Sequence, residues 1–248
     1  QHKLRCVVGR RTLDVLTGGY CFRLRIGGDK ELSLLGNDKV SPTHHMNNAL
    51  ERLALTEAVV LAAPHHSSIH GLHLQKPAFG LTVRAATRWL EEHMMSEHLR
   101  VEAVELIVAS LFSDEAPLAP PSTGLSGFVR FLLLLAGHDW GTAPLLVDPQ
   151  GELSATDRAA AAEAFSRSRD RGEHCVTYPG GGNAMYLIAP YSRDLGWGSS
   201  WTSPHPERPV LGRLVALAKA SAESLVGWLS GAGKDTSGWK AAFRSGLG

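Results

Sequence analysis

The stretch Pro77-Ala78-Phe79-Gly80-Leu81-Thr82-Val83-Arg84-Ala85-Ala86-Thr87-Arg88-Trp89-Leu90-Glu91-Glu92-His93-Met94-Met95 decides the fold class. Its apolar residues Phe79, Val83, Ala86, Leu90 and Met94 recur at helical spacing and share one face, with Arg84 and Arg88 on the opposite one. The pattern predicts an amphipathic helix from Pro77 to about Met95, whose stripe needs other helices to cover it. Downstream, Val104, Ile107, Val108 and Leu111 form the stripe of a helix over Val101–Phe112. Pro117 to Ser126 reads as a Pro/Ser/Gly linker. Gly127–Gly137 is apolar nearly all round apart from Arg130, which predicts the buried centre of a bundle. Upstream, Asn47 or Asn48 is placed to cap a helix that runs to about Ala62 and ends before Pro64.

The flanks have mixed character. Leu4–Val8, Leu13–Leu16 and Tyr20–Ile26 are short β-rich runs punctuated by Gly18-Gly19 and Gly27-Gly28, and they predict strands. Phe22, Leu24 and Ile26 alternate with Arg23 and Arg25, the period of a strand with one wet face. Leu145-Leu146-Val147 and Ala184–Ala189 read as extended segments. Between them, Ser154-Ala155-Thr156-Asp157 has the form of a capping box opening an alanine-rich helix to about Arg167. The charged run Ser166–Glu173 reads as a loop, and Tyr191–Pro209 as a turn-rich stretch. A last helix starts at Pro209 with Val210, Leu214, Leu217, Ser221, Leu225 and Trp228 as its stripe, and a frayed tail follows Ser230. No internal repeat is present.

With 248 residues, 44% hydrophobic and 20% charged, the chain has globular composition and enough length for a sizeable core. Its 25 Lys+Arg against 24 Asp+Glu give a net charge of +1, which counts against strong autonomous nucleic-acid binding, because phosphate neutralisation supplies much of that affinity. Cys6, Cys21 and Cys175 are sparse and odd in number, as suits a reducing compartment rather than a disulfide framework. The longest apolar run, around Phe131–Ala136, is too short to span a bilayer. Gln1-His2-Lys3-Leu4-Arg5 carries neither an initiator Met nor a signal-peptide pattern, and it reads as the start of a piece cut from a longer chain.

Histidines are the most conspicuous chemical feature, with eight of the twelve between residues 44 and 98. His66 and His70 have the spacing of helical zinc ligands, and His65 and His73 flank them. Pro64 and Gly71 are expected to break that stretch, and Ser67 stands where a zinc protease needs its glutamate. Capping, packing or surface roles are the better reading, so no metal is expected. Gly124-Leu125-Ser126-Gly127 lacks the five-residue frame of a nucleophile elbow and reads as loop. Gly180-Gly181-Gly182 is followed by no Lys-Ser or Lys-Thr, and a glycine turn explains it better than a phosphate cradle. The candidate phosphate contacts are Arg84 and Arg88, one turn apart on a helix, and Arg167, Arg169 and Arg171 in the charged run. Glu91, Glu92, Asp170 and Glu173 dilute both strips. Trp197 and Trp201 read as side chains pinning a loop to the core.

From His70 onward the order of motifs supports a resemblance. His70-Gly71-Leu72-His73-Leu74-Gln75-Lys76-Pro77-Ala78-Phe79-Gly80 leads into Thr82-Val83-Arg84, Arg88-Trp89-Leu90 and Glu102–Ala109. Gly127–Leu132, Asp139-Trp140, Pro144–Asp148, Pro190-Tyr191 and Val210–Ala218 follow. This succession resembles the Nrap family of nucleolar RNA-associated proteins over roughly residues 20 to 225. The resemblance implies a mainly helical α+β fold of the poly(A) polymerase/oligoadenylate synthetase type, here the second such domain of the family. It implies that residues 1–40 end a nucleotidyltransferase-like β region, that 41–190 form the helical domain, and that 191–248 begin a following domain and tail. It further implies a place in the nucleus and nucleolus, in the small-subunit processome that matures pre-18S rRNA. There the expected partners are pre-rRNA, processome proteins and a smaller rRNA-processing protein, with no membrane and no small-molecule substrate.

The residues address catalysis separately. Nucleotidyl transfer needs paired carboxylates to hold the metal ions that clamp a triphosphate, and in the family's superfamily an Asp-x-Asp-like pair follows a Gly-Ser or Gly-Gly turn by about a dozen residues. No Asp-x-Asp occurs in this chain. Gly198-Ser199 meets no carboxylate before Glu207, and Gly27-Gly28 is followed too closely by Asp29 and Glu31. The expectation is a scaffold without catalytic residues or cofactor. The alternative is the helical half of an active nucleotidyltransferase whose carboxylates lie upstream.

Overall fold

The computed structural model describes residues 4–9, 12–24, 57–113, 116–170, 183–199, 201–202, 205–231 and 238–243. The expected cap at Asn47 or Asn48, the turn around Gly27–Glu31, Gly180–Gly182 and Arg171 lie outside them. The chain is α+β and mainly helical, in two compact units, residues 1–64 and 65–248.

In the first unit, β1 (Arg5–Val8), β2 (Leu13–Thr17) and β3 (Tyr20–Leu24) form an antiparallel meander in that order. Gly18 and Gly19 both take positive φ (56° and 84°), which a two-residue hairpin matched to the strand twist requires. The register sets Asp14 opposite Arg23, whose guanidinium donates to both carboxylate oxygens at 2.8 and 2.9 Å. The other face of β2 and β3 carries Leu13, Val15, Phe22 and Leu24, and Phe22 and Leu24 are about half exposed there (53% and 52%).

A π-helical turn, Glu57–Ala62, runs directly into α1 (Ala63–Gln75). Helix therefore continues through Pro64, where the sequence predicted a stop. Pro64 falls at the junction of the two elements, where the wider π-helical turn replaces the regular i→i−4 ladder that a proline interrupts. Gly71 does not break α1 either; a glycine inside a helix costs about 1 kcal/mol against alanine, which packing of Ile69 and Leu72 offsets.

The second unit is a helical bundle with a small two-stranded parallel sheet. Helix α2 (Pro77–Glu92) buries Phe79, Val83, Ala86 and Leu90 as predicted, together with Trp89, which the stripe omitted. It stops three residues short of Met95, because His93 Nδ1 donates to the Trp89 carbonyl (2.8 Å) and Met94 turns to φ 56°. The turn exposes Met94 and buries Met95, the reverse of the predicted face. Helix α3 (Val101–Ser110) buries Val104, Ile107 and Val108. Helix α4 (Gly124–Gly137) begins inside the predicted linker, because the Thr123 hydroxyl accepts the Ser126 N–H (3.1 Å) as an N-cap. It lies against α2 and against α6 (Arg208–Leu229), but Leu125 and Leu133 stay about half exposed, so it is not the helix buried all round that its apolar sequence predicts.

Close approach of α2 and α4 rests on glycine. A Cβ at Gly127 would stand 2.0 Å from Thr82 Oγ1, and one at Gly124 would stand 2.6 Å from Leu81 Cβ. At the other side of the bundle, Trp89 Nε1 donates to Ser221 Oγ (2.9 Å), which donates to the Ala242 carbonyl (2.8 Å). The segment Gly238–Phe243 is thereby a docked 3₁₀ turn, not fray. Ala242 is fully buried, and the Phe243 ring stacks on Phe128 at 5.3 Å.

Strand β4 (Leu145–Leu146) pairs in parallel with β5 (Leu187–Ile188), and α5 (Ala155–Asp170) covers this pair with Ala161 and Phe165. The capping box forms: Ser154 Oγ accepts the Asp157 N–H and Asp157 Oδ2 accepts the Ser154 N–H (3.2 and 3.0 Å). Helix α5 then continues through Ser166–Asp170, where the charged run predicts a loop. A run of Arg and Ser has adequate helix propensity once Phe165 anchors it. The turn-rich stretch after β5 opens with a 3₁₀ turn, Pro190–Leu195. The described residues of 191–231 belong to the same compact unit as α2 and α4.

Candidate nucleic-acid interface

The predicted arginines separate into different environments. Arg84 and Arg88 are exposed on α2, and Arg88 pairs with Glu92 (2.5 Å) and Glu91 (3.7 Å). Arg167 is exposed and 3.6 Å from Glu163, one turn back on α5. Arg169 points inward. Its Nη1 donates to the Asn183 carbonyl (2.6 Å), its Nη2 donates to the Trp140 carbonyl (2.8 Å), and its Cζ sits 4.7 Å from the Phe165 ring centre. Residues two apart on a helix cannot share a face, so Arg167 and Arg169 do not form the strip that an extended loop would give.

Arg169 instead meets a residue the sequence reading did not single out. The corner after α4 is fixed by Trp140, whose ring N–H donates to the Leu135 carbonyl (3.0 Å). Between this corner, the end of α5 and the first turns of α6 lies a groove of about 470 Å³, with Arg169 and exposed Arg208 on its walls beside Gly141, Leu211 and Gly212. Burial, and after it the charge of Arg208, hold the Arg169 pKa below the ordinary arginine value. Arg169 Nε is buried with no partner, and neither arginine has a carboxylate partner among the described residues. Asp139, next to the corner, spends its carboxylate on Thr142 and on Gly141 N–H (3.1 Å), which lower its pKa. Arg169 and Arg208 lie far apart in sequence, and only the tertiary fold pairs them.

The histidines also separate. His65, 4% exposed, is held at both ring nitrogens: Nε2 lies 2.8 Å from Glu105 Oε2 and Nδ1 lies 2.8 Å from Tyr191 Oη. Carboxylate oxygens only accept, which places the proton on Nε2. Tyr191 Oη accepts from Trp201 Nε1 (3.1 Å), leaving its own hydrogen for His65 Nδ1. Burial pushes the Tyr191 hydroxyl well above the usual phenol range. The Arg100 guanidinium covers the Trp201 ring at 4.9 Å. His66 and His70 stack on the outer side of α1, and His73 sets its ring edge against Phe79. Among the described residues no three His, Cys, Asp or Glu side chains gather as a metal ion requires. Gly124–Gly127 is the first turn of α4, Trp197 is buried in the cluster beneath α5, and Trp201 belongs to the His65 network. No helix among the described residues is long and apolar enough to cross a membrane.

Comparison with known proteins gives this architecture its class. Residues 76–244 match the family model described as Nrap protein PAP/OAS1-like domain 5, and residues 5–74 match Nrap protein nucleotidyltransferase domain 4. The class is a PAP/OAS1-like helical domain preceded in sequence by a nucleotidyltransferase-type segment. Among curated proteins, nucleolar protein 6 of Xenopus laevis is 33% identical over 91% of this chain, and that of Homo sapiens is 30% identical over 88%. U3 small nucleolar RNA-associated protein 22 of Schizosaccharomyces pombe is 27% identical over 95%. The chain spans 19%, 18% and 20% of these relatives, about a fifth of their length. The chain belongs to the Nrap family.

Proposed function

We propose that this chain is a non-catalytic scaffold, in contact with RNA and protein, within a nucleolar assembly that processes pre-18S rRNA. Its partners are pre-rRNA and small-subunit processome proteins, among them a smaller rRNA-processing protein. The observation that carries this reading is the family match along both parts of the chain, to relatives named for the nucleolus and for the U3 small nucleolar RNA. The chain supports it chemically. It contains no Asp-x-Asp, and its buried titratable groups are spent on holding elements together: His65 and Glu105 join α1 to α3, and Asp148 accepts Glu152 N–H, Leu153 N–H and Arg158 at the entrance to α5. Such groups fix a surface, whereas catalytic carboxylates have to face a solvent-filled cleft with a metal between them.

The test is ultraviolet cross-linking of the tagged protein in nucleoli, followed by sequencing of the RNA recovered. Enrichment of small-subunit pre-rRNA is expected. Recovery no higher than that of an untagged control contradicts the RNA-contacting part of the reading.

A further inference from the structure

We propose that the groove between Arg169 and Arg208 is an RNA-backbone site, which seats one or two phosphates of a single strand. This assignment rests on the RNA-contacting reading above and narrows it to one place.

The first argument is charge. Arg169 donates one hydrogen from each Nη to the Asn183 and Trp140 carbonyls, which leaves a second hydrogen on each and does not neutralise its charge, and its Nε has no partner among the described residues. Exposed Arg208 adds a second cation on the same groove, and the two repel. Arg88, Arg167 and Arg193, by contrast, each have a carboxylate partner: Glu92, Glu163, and Asp157 at 2.7 Å. In a chain of net charge +1, two converging guanidiniums with no carboxylate partner among the described residues mark a place suited to an anion.

Shape supplies the second argument. At about 470 Å³ the groove has small-ligand size, more than a lone phosphate fills. Its remaining walls are mostly apolar or lack a side chain (Leu211, Gly141, Gly212), which suits the sugar and base edges flanking a phosphodiester. Arg169 is clamped by two backbone carbonyls and by the Phe165 face, so it loses little freedom on binding. Exposed Arg208 is free to close on the ligand from the other side.

The experiment measures fluorescence anisotropy of a labelled single-stranded RNA 20-mer, as an order of length suited to a few contacts, across a salt series. Arg208→Ala removes an exposed cation, and Gly212→Asp adds a carboxylate where a Cβ meets nothing within 4 Å, so both leave the fold intact. Each is expected to weaken binding about fivefold, and Arg208→Ala to flatten the plot of log K against log salt by about 0.7, one single-strand phosphate contact. Arg167→Ala is expected to bind like the parent protein. If the parent binds RNA and both groove variants bind equally well, the groove assignment is overturned while the RNA-contacting reading stands. If the parent binds no RNA even at low salt, both fall. Binding of inorganic phosphate without binding of RNA overturns the assignment to nucleic acid.

Discussion

The Tyr191 oxygen stands between two rings, accepting the Trp201 N–H and facing His65 Nδ1, while His65 hands its other nitrogen to Glu105. An ionised phenolate here would lose the hydrogen that His65 requires, and burial adds to the penalty, so the folded pKa is raised. The sign follows from linkage. The folded state holds the proton more tightly than the unfolded chain, so this stabilisation is complete below the unfolded tyrosine pKa of about 10 and fades as pH rises beyond it. Burial also raises the pKa of Tyr186, so alkaline titration followed by tyrosinate absorbance is expected to show Tyr191 and Tyr186 ionising late, and Tyr191→Phe is expected to reduce the amplitude of that late step. A late step of undiminished amplitude in Tyr191→Phe contradicts the assignment. Local residue signals of this kind were partly legible. Ser154-x-x-Asp157 was readable because both halves of the box lie within one turn of chain. The roles of His65 and Arg169 were not, since their partners Glu105, Tyr191, Trp140 and Asn183 arrive from distant elements.

At the scale of elements, the contact of α2 with α4 depends on an absent side chain. Gly127→Ala would force a methyl to 2.0 Å from Thr82 Oγ1, a hydroxyl that is fully buried and donates to the Ala78 carbonyl at 2.9 Å. Overpacking of this kind costs about 1–3 kcal/mol, and each kcal/mol lowers the melting temperature by roughly 2–4 °C in a chain of this size. Thr82→Ala in the same background is expected to restore part of the loss, and an unchanged melting temperature for Gly127→Ala alone would contradict the packing account. Ser221→Ala leaves the indole N–H of fully buried Trp89 without its acceptor, at about 1–3 kcal/mol. It also releases the Ala242 carbonyl, so proteolysis within 238–243 should quicken. Equal protection of that segment in the variant would show that the hydroxyl does not hold it. Helix existence was legible throughout this region because an apolar stripe of helical period survives any neighbour. Helix ends were not, because Met94, Thr123 and Pro64 act through single backbone angles or bonds that periodicity does not encode. The charge run at Arg167–Asp170 concealed a helix whose anchor, Phe165, lies just before it.

For the whole molecule, the distribution of charge and of carboxylates defines what the chain offers. Its acids are dispersed among caps, turns and surface pairs, as at Asp148, Asp157 and Glu92, while Arg169 and Arg208, without a carboxylate partner among the described residues, converge on one groove. The family was legible in the order of motifs from His70 to Ala218, but the groove was not, being created only when α5, α6 and the Trp140 corner meet. The central claim is that the fold serves assembly without performing nucleotidyl transfer. Its most direct test incubates the protein, in the longest form in which it is made, with magnesium, ribonucleoside triphosphates and a labelled RNA primer. The account predicts a primer of unchanged length under every metal and nucleotide condition; metal-dependent extension that disappears with chelator would contradict it.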